Sequence, residues 1–292
     1  MRFGVELAVR TPVTDLVESL RVYDKFGFDR VWVPDTPISL WEVWTTASLA
    51  ATHTQRVRIG VGVTSPYHRS PAVMAHAAAT LDQLSGGRLD LTIGRGARRY
   101  LQSIGADGDD AGVEEAIAII RRFLAGETVT YEGSVFHFNE VSLRVGSQQE
   151  RVPIYLASTS DYWNEVAARC ADGIHTYSSN PNLLQRVREW GHKAERNNGF
   201  AVITTLGYVE PPEVREWWVN NFGRNYNLQK LCGREVETAS YEELAEELVF
   251  TDRASLLAQV DRLERAGVDE LMVTYRRPED LPVIAELVRS IQ

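Results

Sequence analysis

The stretch VRIGVGVTSPYHRSPAVMAHAAATLDQLSGGRLDLTIGRG, Val57–Gly96, decides how the whole chain is read. It runs strand, loop, helix, Gly-Gly turn, strand and Gly-rich loop. Val57, Ile59, Val61 and Val63 alternate with Arg58, Gly60, Gly62 and Thr64; further on, Leu89, Leu91 and Ile93 alternate with Asp90, Thr92 and Gly94. Successive side chains of a strand point to opposite faces, so each strand has one apolar face and one small or polar face. Two neighbouring strands of this kind pack their apolar side on helices and leave the other side open for something that is not core.

Outward from this unit, strand and helix patterns alternate along the chain. Phe3–Val9 is a strand, and Thr11-Pro12 reads as N-cap and first residue of a helix that stops at Gly27. Arg30–Pro34 is the second strand and Trp41–His53 a helix; the opening unit supplies strands three and four. The loop ARRYLQSIGADGDD leads to a helix over Val113–Ala125. Val129–Leu143 holds short strand-like pieces outside the main alternation. Pro153–Ala157, Gly173–Tyr177, Ala201–Val209 and Glu270–Tyr275 complete eight strands. Helices are expected at Asp161–Cys170, Asn182–Asn197, after the cap Asp252 as far as Gly267, and at Leu281–Ile291. Pro211–Glu247 is polar and reads as an inserted helical segment. Eight strands, each followed by helical sequence, predict an α/β fold of the (β/α)8 TIM-barrel type. An open doubly wound sheet would usually carry a Gly-rich turn after strand one, where this chain has Arg10-Thr11-Pro12. One domain over residues 1–292 is expected, with excursions near 127–150 and 211–250.

The bulk properties are those of an ordinary globular protein. The chain has 292 residues, 44% hydrophobic and 24% charged, enough for a large core. A net charge of -9 argues against nucleic acid or an anionic membrane as partner. Cys170 and Cys232 make no disulfide framework and no metal spacing, the N-terminus carries no signal-peptide pattern, and no apolar run approaches a span. A cytoplasmic protein, acting on a small molecule as a homo-oligomer (dimer or tetramer), is the expectation.

In a barrel the apolar face of each strand meets the helices and the other face points into the bore. That rule turns Gly4, Glu6 and Ala8, Gly60, Gly62 and Thr64, and Asp90, Thr92 and Gly94 inward. Bores are ordinarily filled by bulky branched residues, so these small ones predict a cavity near the strand ends; packed small layers are the alternative. Glu6 is the sharpest candidate. A carboxyl in the bore needs a partner or a raised pKa, and in a dry pocket it can hold a proton and deliver it to substrate. A structural pair with Arg58 is the alternative, unless Arg58 pairs with Asp90. Barrel enzymes react at the C-terminal ends of their strands, where Gly94-Arg95-Gly96 and Ala157-Ser158-Thr159-Ser160 lie. Small residues and hydroxyls before a helix make a phosphate cradle. Arg95, Arg98 and Arg99 suit an anionic ligand tail. His68, His76, His137 and His175 have no metal spacing, so no metal is expected. His175 and Tyr177 end strand six and are candidates to line a substrate pocket.

The run SPYHRSPAVMAHAAATLDQLSGGRLDLTIGRG resembles the signature of the bacterial-luciferase-like superfamily. GFDRVWVPD at 27–35, LAGETVTYEG at 124–133, VPIYLAS at 152–158, ADGI at 171–174 and AGVDELMV at 266–273 stand in that family's order over nearly the whole chain. MRFGVEL and GVGVTSPYHRSPAV look most like the methylene-tetrahydromethanopterin reductases that use the deazaflavin coenzyme F420. The resemblance implies a (β/α)8 barrel with an insertion, binding a flavin or deazaflavin at the C-terminal ends of its strands, with coenzyme F420 the expected cofactor and FMN or NAD(P)H the alternatives. It also implies a non-proline cis peptide at Gly62-Val63, on a bulge behind the ring system. Asp35 and Thr36 would lie beside the ring, and Ala157, Ser158 and Thr159 near the phosphate side. Glu6 would be the proton donor that assists iminium formation before hydride reaches a methylene carbon. An NAD(P)H-dependent methylenetetrahydrofolate reductase, an FMN-dependent monooxygenase and a flavin-binding paralogue without turnover are the alternatives within the resemblance. The chain departs from the reductases at Ala97, where they carry an acidic residue, and at Ser65-Pro66-Tyr67, where they have Asn-Pro-Tyr; 211–250 does not align.

Overall fold

The computed structural model describes residues 1–7, 12–36, 39–194, 199–210, 216 and 247–292, without the side chain of Arg99. In chain order the first half reads β1 (Arg2–Glu6), α1 (Val13–Phe26), β2 (Arg30–Val33), α2 (Val43–His53), β3 (Arg58–Thr64), α3 (Pro71–Ser85), β4 (Leu89–Ile93), α4 (Arg98–Ser103) and α5 (Ala111–Leu124). Next come β5 (Val129–Glu132), β6 (His137–Val141), β7 (Ile154–Ala157), α6 (Asp161–Cys170), β8 (Gly173–Thr176), α7 (Pro181–Lys193) and β9 (Ala201–Tyr208). The chain closes with β10 (Val249–Phe250), α8 (Arg253–Arg265), β11 (Glu270–Thr274) and α9 (Asp280–Arg289).

Strands β1, β2, β3, β4, β7, β8, β9 and β11 pair in parallel, and β8 pairs with β9 while β11 pairs with β1, so the sheet closes into an eight-stranded (β/α)8 barrel. The two-residue β10 adds to β9 outside the ring. Outward-facing Phe3, Val5, Val31, Ile59, Leu91, Ile154, Ile174 and Leu271 form one buried core with the helices. The helix signals work as their chemistry requires. Ser70 accepts from the Val73 amide and Pro71 starts α3, whose end at Gly86 has φ +69°. Asp252 and Ser255 form a capping box on α8.

Three local expectations shift. Pro12 stands in the cap position of α1, because its extended ψ of 146° delays the first helical residue to Val13; Thr11 lies outside the described residues, as does the end of β1's expected run at 8–9. The loop after Gly96 contains the short helix α4. The strand pieces at 129–143 are an antiparallel hairpin, pinned to α5 because Glu115 accepts from the Ser134, Val135 and Phe136 amides. The inserted segment expected at 211–250 lies outside the described residues except for Glu216 and its end at 247–250. Among the described residues, no helix is long and apolar enough to cross a membrane.

Candidate active site

The bore is built from its floor upward. Arg30 Nε donates to Asp90 Oδ2 at 2.9 Å, and its Nη1 pairs with Glu270. Arg58 Nε donates to the same Oδ2 at 2.6 Å and its Nη2 to Oδ1 at 3.0 Å. Burial opposes the Arg30 charge, but Asp90 and Glu270 more than offset it and raise its pKa. Arg58 is thereby committed to Asp90, and the alternative pairing with Glu6 is set aside. On this ionic floor sits Trp32, fully buried, its Nε1 donating to Glu270 at 3.1 Å.

Trp32 corrects the expected cavity in the lower bore. An added Cβ on Gly60 would lie 2.2 Å from the indole, and one on Gly4 would lie 3.1 Å from it. These glycines, on the strands flanking β2, make room for the indole. With Tyr155, Ile203 and Met272, Trp32 forms a second core inside the barrel. Sequence reasoning missed it, although alternation between Val31 and Val33 turns Arg30 and Trp32 inward beside the glycines. Gly62 is small for another reason: its Cβ would meet Thr92 at 2.5 Å.

Glu6 stands at the C-terminal end of β1, in register with Trp32, and is 9% exposed. Burial raises its pKa, and a hydrogen bond with Thr274 moderates the rise. Val5 pairs with Val273, so the next residues, Glu6 and Thr274, enter the bore side by side. A carboxyl in this setting holds its proton to higher pH than a free glutamate and can act as a general acid.

At the same end of the barrel, the non-proline cis peptide joins Gly62 and Val63 at a bulge, where the β3–β4 register shifts between Val61 and Thr64. Thr64 Oγ1 donates to Asp35 Oδ2 at 2.7 Å, and His68 Nδ1 lies 3.3 Å from the same oxygen. Gly94 donates its amide to the Thr64 carbonyl at 3.0 Å; a Cβ there would strike Val63 Cγ1 at 2.8 Å and Ala157 Cβ at 2.9 Å. The Ser158 amide bonds to the His175 carbonyl at 3.0 Å, and its hydroxyl donates to the buried Asn164 at 2.6 Å. Asp35, Gly62, Val63, Thr64, Gly94, Ala157, Ser158 and His175 therefore form one connected rim across five strands. Thr36 caps the turn to Ser39 and Leu40 through its carbonyl, and Thr159 is half-buried before α6.

The basic loop divides. Ser65 Oγ donates to the Arg95 carbonyl, and Gly96, at φ +87°, turns the chain over Ser65. Arg95 pairs with Asp110 at 2.8 Å while about a third of its side chain stays exposed. Arg98 is exposed, and the Arg99 side chain lies outside the described residues. His175 is buried, 4.7 Å from the Trp32 ring and stacked at 6.5 Å on half-buried Tyr177. Burial and the charge of Arg30 pull its pKa down to about 3, so it is neutral at working pH. Its Nδ1 meets Thr92 at 3.1 Å; among the described residues its Nε2 has no partner, and neither has Thr205 Oγ1 or His68 Nε2. His68, Asn164, Thr205 and Thr274 are site-region residues that sequence reasoning missed. Only Thr205 and Thr274 carried a signal, their inward place in the alternation. Among the described residues no group of His, Cys, Asp and Glu could hold a metal ion.

The comparisons with known proteins bear on this barrel as a whole. A 5,10-methylenetetrahydromethanopterin reductase of Archaeoglobus fulgidus is 31% identical over 191 residues, 65% of this chain and 57% of the relative. An F420-dependent glucose-6-phosphate dehydrogenase of Amycolatopsis mediterranei is 30% identical over 205 residues, 62% of this chain and 60% of the relative. The matched part thus spans about 60% of the length of these curated relatives. In fold, the coenzyme F420-dependent tetrahydromethanopterin reductase of Methanopyrus kandleri superposes with a TM-score of 0.79 at 19% identity, covering 100% of this chain and 99% of that one. The family model for luciferase-like monooxygenases matches residues 1–209, well over half of the chain, and the protein belongs to that bacterial-luciferase-like family.

Proposed function

We propose that this protein is an F420-dependent oxidoreductase that transfers hydride to a small-molecule electrophile, with a methylene-tetrahydropterin as substrate. The observation that carries the reading is Glu6: a carboxyl buried at the C-terminal end of the barrel, with its proton affinity raised, at the same end as the bulge and rim expected to hold the cofactor. The sequence relatives that name a pterin reductase and an F420-dependent dehydrogenase support the same chemistry.

The residues present suit a flat ring with polar edges. Gly94 leaves no room for a side chain between Val63 and Ala157, which keeps the rim shallow, and the orphaned His175 Nε2 and Thr205 Oγ1 offer buried polar contacts. Gly62, Val63 and Thr64 would support the ring, Asp35 and Thr36 its edge, and Gly94, Arg95, Gly96, Ala157, Ser158 and Thr159 the phosphate-bearing tail. When bound, reduced F420 supplies the hydride. Glu6 gives its proton to one nitrogen of the methylene bridge; the C–N bond breaks, the remaining nitrogen stabilises the cationic carbon as an iminium, and hydride addition leaves an N-methyl group. Tyr177 and His175 would line the substrate side. As pH rises through the raised pKa of Glu6 the proton is lost and turnover falls. Action as a homo-oligomer belongs to the same proposal.

Titration of the purified protein with F420, FMN and NADPH, followed by absorbance and fluorescence, tests the cofactor. Tight binding of FMN alone overturns the reading in favour of a monooxygenase. Glu6→Gln with unchanged methylene-pterin turnover removes Glu6 from the mechanism.

A further inference from the structure

We propose that the N-terminal mouth of the barrel, opposite the candidate active site, binds a small organic anion: a carboxylate or phosphate monoester carrying an apolar group. A cavity of about 490 Å³ opens there, among the starts of β1, β7, β9 and β11 and the end of α7. Arg2, Arg151 and Arg188 line it together with Asp172 and Asp269.

The two carboxylates are already engaged. Asp172 accepts from Arg121 at 2.7 Å, Arg151 at 2.8 Å and the Ile154 amide at 2.8 Å. Asp269 lies 2.6 Å from Arg188 and accepts from the Val202 amide at 2.7 Å. The donors are not all engaged. Arg2, 48% exposed, comes no nearer than 4.0 Å to Glu270, a carboxylate that Arg30 and Trp32 already hold. No described residue accepts a hydrogen bond from its guanidinium. Arg151 uses Nε and Nη2 on Asp172, which leaves Nη1. Tyr155 is 5% exposed, lines the cavity, and its hydroxyl has no partner among the described residues.

Two guanidinium groups and a phenol thus face one space, in a chain of net charge -9. Guanidinium forks match the oxygens of carboxylate and phosphate, and three arginines against two aspartates leave the mouth cationic. Phe200, Pro153 and the Tyr155 ring give an apolar wall, which favours an organic anion over a bare ion. The Tyr155 ring stands edge-on to Trp32 at 6.2 Å, so occupancy will alter tryptophan emission.

The test titrates the full chain with phenyl phosphate and with benzoate, by calorimetry and tryptophan fluorescence, with inorganic phosphate as the bare-ion control. Expected is saturable binding, one per chain, about tenfold or more tighter than inorganic phosphate and weakened by salt. Arg2→Gln should weaken it about tenfold or more, Tyr155→Phe should weaken it less, and Arg122→Gln, outside the cavity and paired with Glu127, should not change it. Arg2 makes no side-chain hydrogen bond to any described residue and reaches Glu270 only at 4.0 Å, so loss of binding in Arg2→Gln is not loss of fold, and a thermal melt verifies this. The tighter of the two probes identifies the anion. Absence of saturable binding, or equal affinity in Arg2→Gln, overturns the proposal. A failure to bind F420 leaves it standing, because the two sites share no residue.

Discussion

Replacing Gly60 by alanine should be among the most damaging single-methyl additions in this protein. The new Cβ would fall 2.2, 2.4 and 2.6 Å from three atoms of the Trp32 indole. The indole cannot yield cheaply. It is fully buried, lies 4.7 Å from His175 and 5.0 Å from the Arg30 guanidinium, and donates to Glu270 at 3.1 Å. Overpacking of a tight core costs about 1–3 kcal/mol. Breaking the hydrogen bond from Nε1 to the buried Glu270 adds about 1–3 kcal/mol. A total of about 2–6 kcal/mol corresponds to a fall in Tm on the order of 10 °C for a domain of this size. Urea melts of Gly60→Ala, Trp32→Leu and the double variant measure it. Trp32→Leu alone is costly because it leaves a cavity, but in that background Gly60→Ala should cost less than about 1 kcal/mol, a large coupling. A loss below about 1 kcal/mol in the wild-type background, or the same loss in both, would refute the account of the bore as glycines fitted around one tryptophan.

Three further outcomes follow from the same floor and rim. Arg30→Met should destabilise by about 3–5 kcal/mol, because Glu270 is left in a buried site without its close guanidinium partner while Asp90 keeps Arg58; addition of Glu270→Gln should restore much of it in urea melts, and no restoration contradicts this explanation. Glu6 has a folded pKa raised above 4.5, so its stabilising contribution is full below that pH and is lost as pH rises through the raised value. Glu6→Gln should therefore match the wild type in acid melts and exceed it at alkaline pH, and a variant weaker than wild type at alkaline pH speaks against the raised pKa. Thr64→Val removes the hydroxyl that holds Asp35 and should cost about 1 kcal/mol; F420 titration should show weaker binding in this variant, and unchanged affinity removes Asp35 from the cofactor rim.

Much of the site was legible because strand alternation is a local property. The inward set Glu6, Asp90, Thr92 and Gly94 follows from period-two patterning, and the rim residues follow from their place at strand ends; at the bulge the alternation fails, because the register shift sets Thr64 level with the outward Ile93 and turns Val63, expected on the apolar face, towards Gly94. The cis peptide at Gly62-Val63 was legible only through the family resemblance; nothing in the composition of the segment marks it. Contacts between distant strands were not legible. Asp35 meets Thr64, and Ser158 meets Asn164, through loop paths that no spacing encodes. Arg95 is held by Asp110, in a loop that the sequence left without structure and that contains α4.

What the sequence alone determined is the order of elements, the (β/α)8 class and the face each strand turns inward. Periodicity and capping are written residue by residue, and closing eight such units around a bore leaves few alternatives. The tertiary structure decided what fills the bore. A glycine reads the same whether it borders empty space or another side chain, and the answer depends on which residue of the neighbouring strand points at it. Gly4 and Gly60 belong to Trp32, and the charges of Arg30, Asp90, Arg58 and Glu270 find each other only when β2, β3, β4 and β11 are brought around the same floor. That floor leaves the upper bore, with Glu6 at its edge, for the chemistry proposed above.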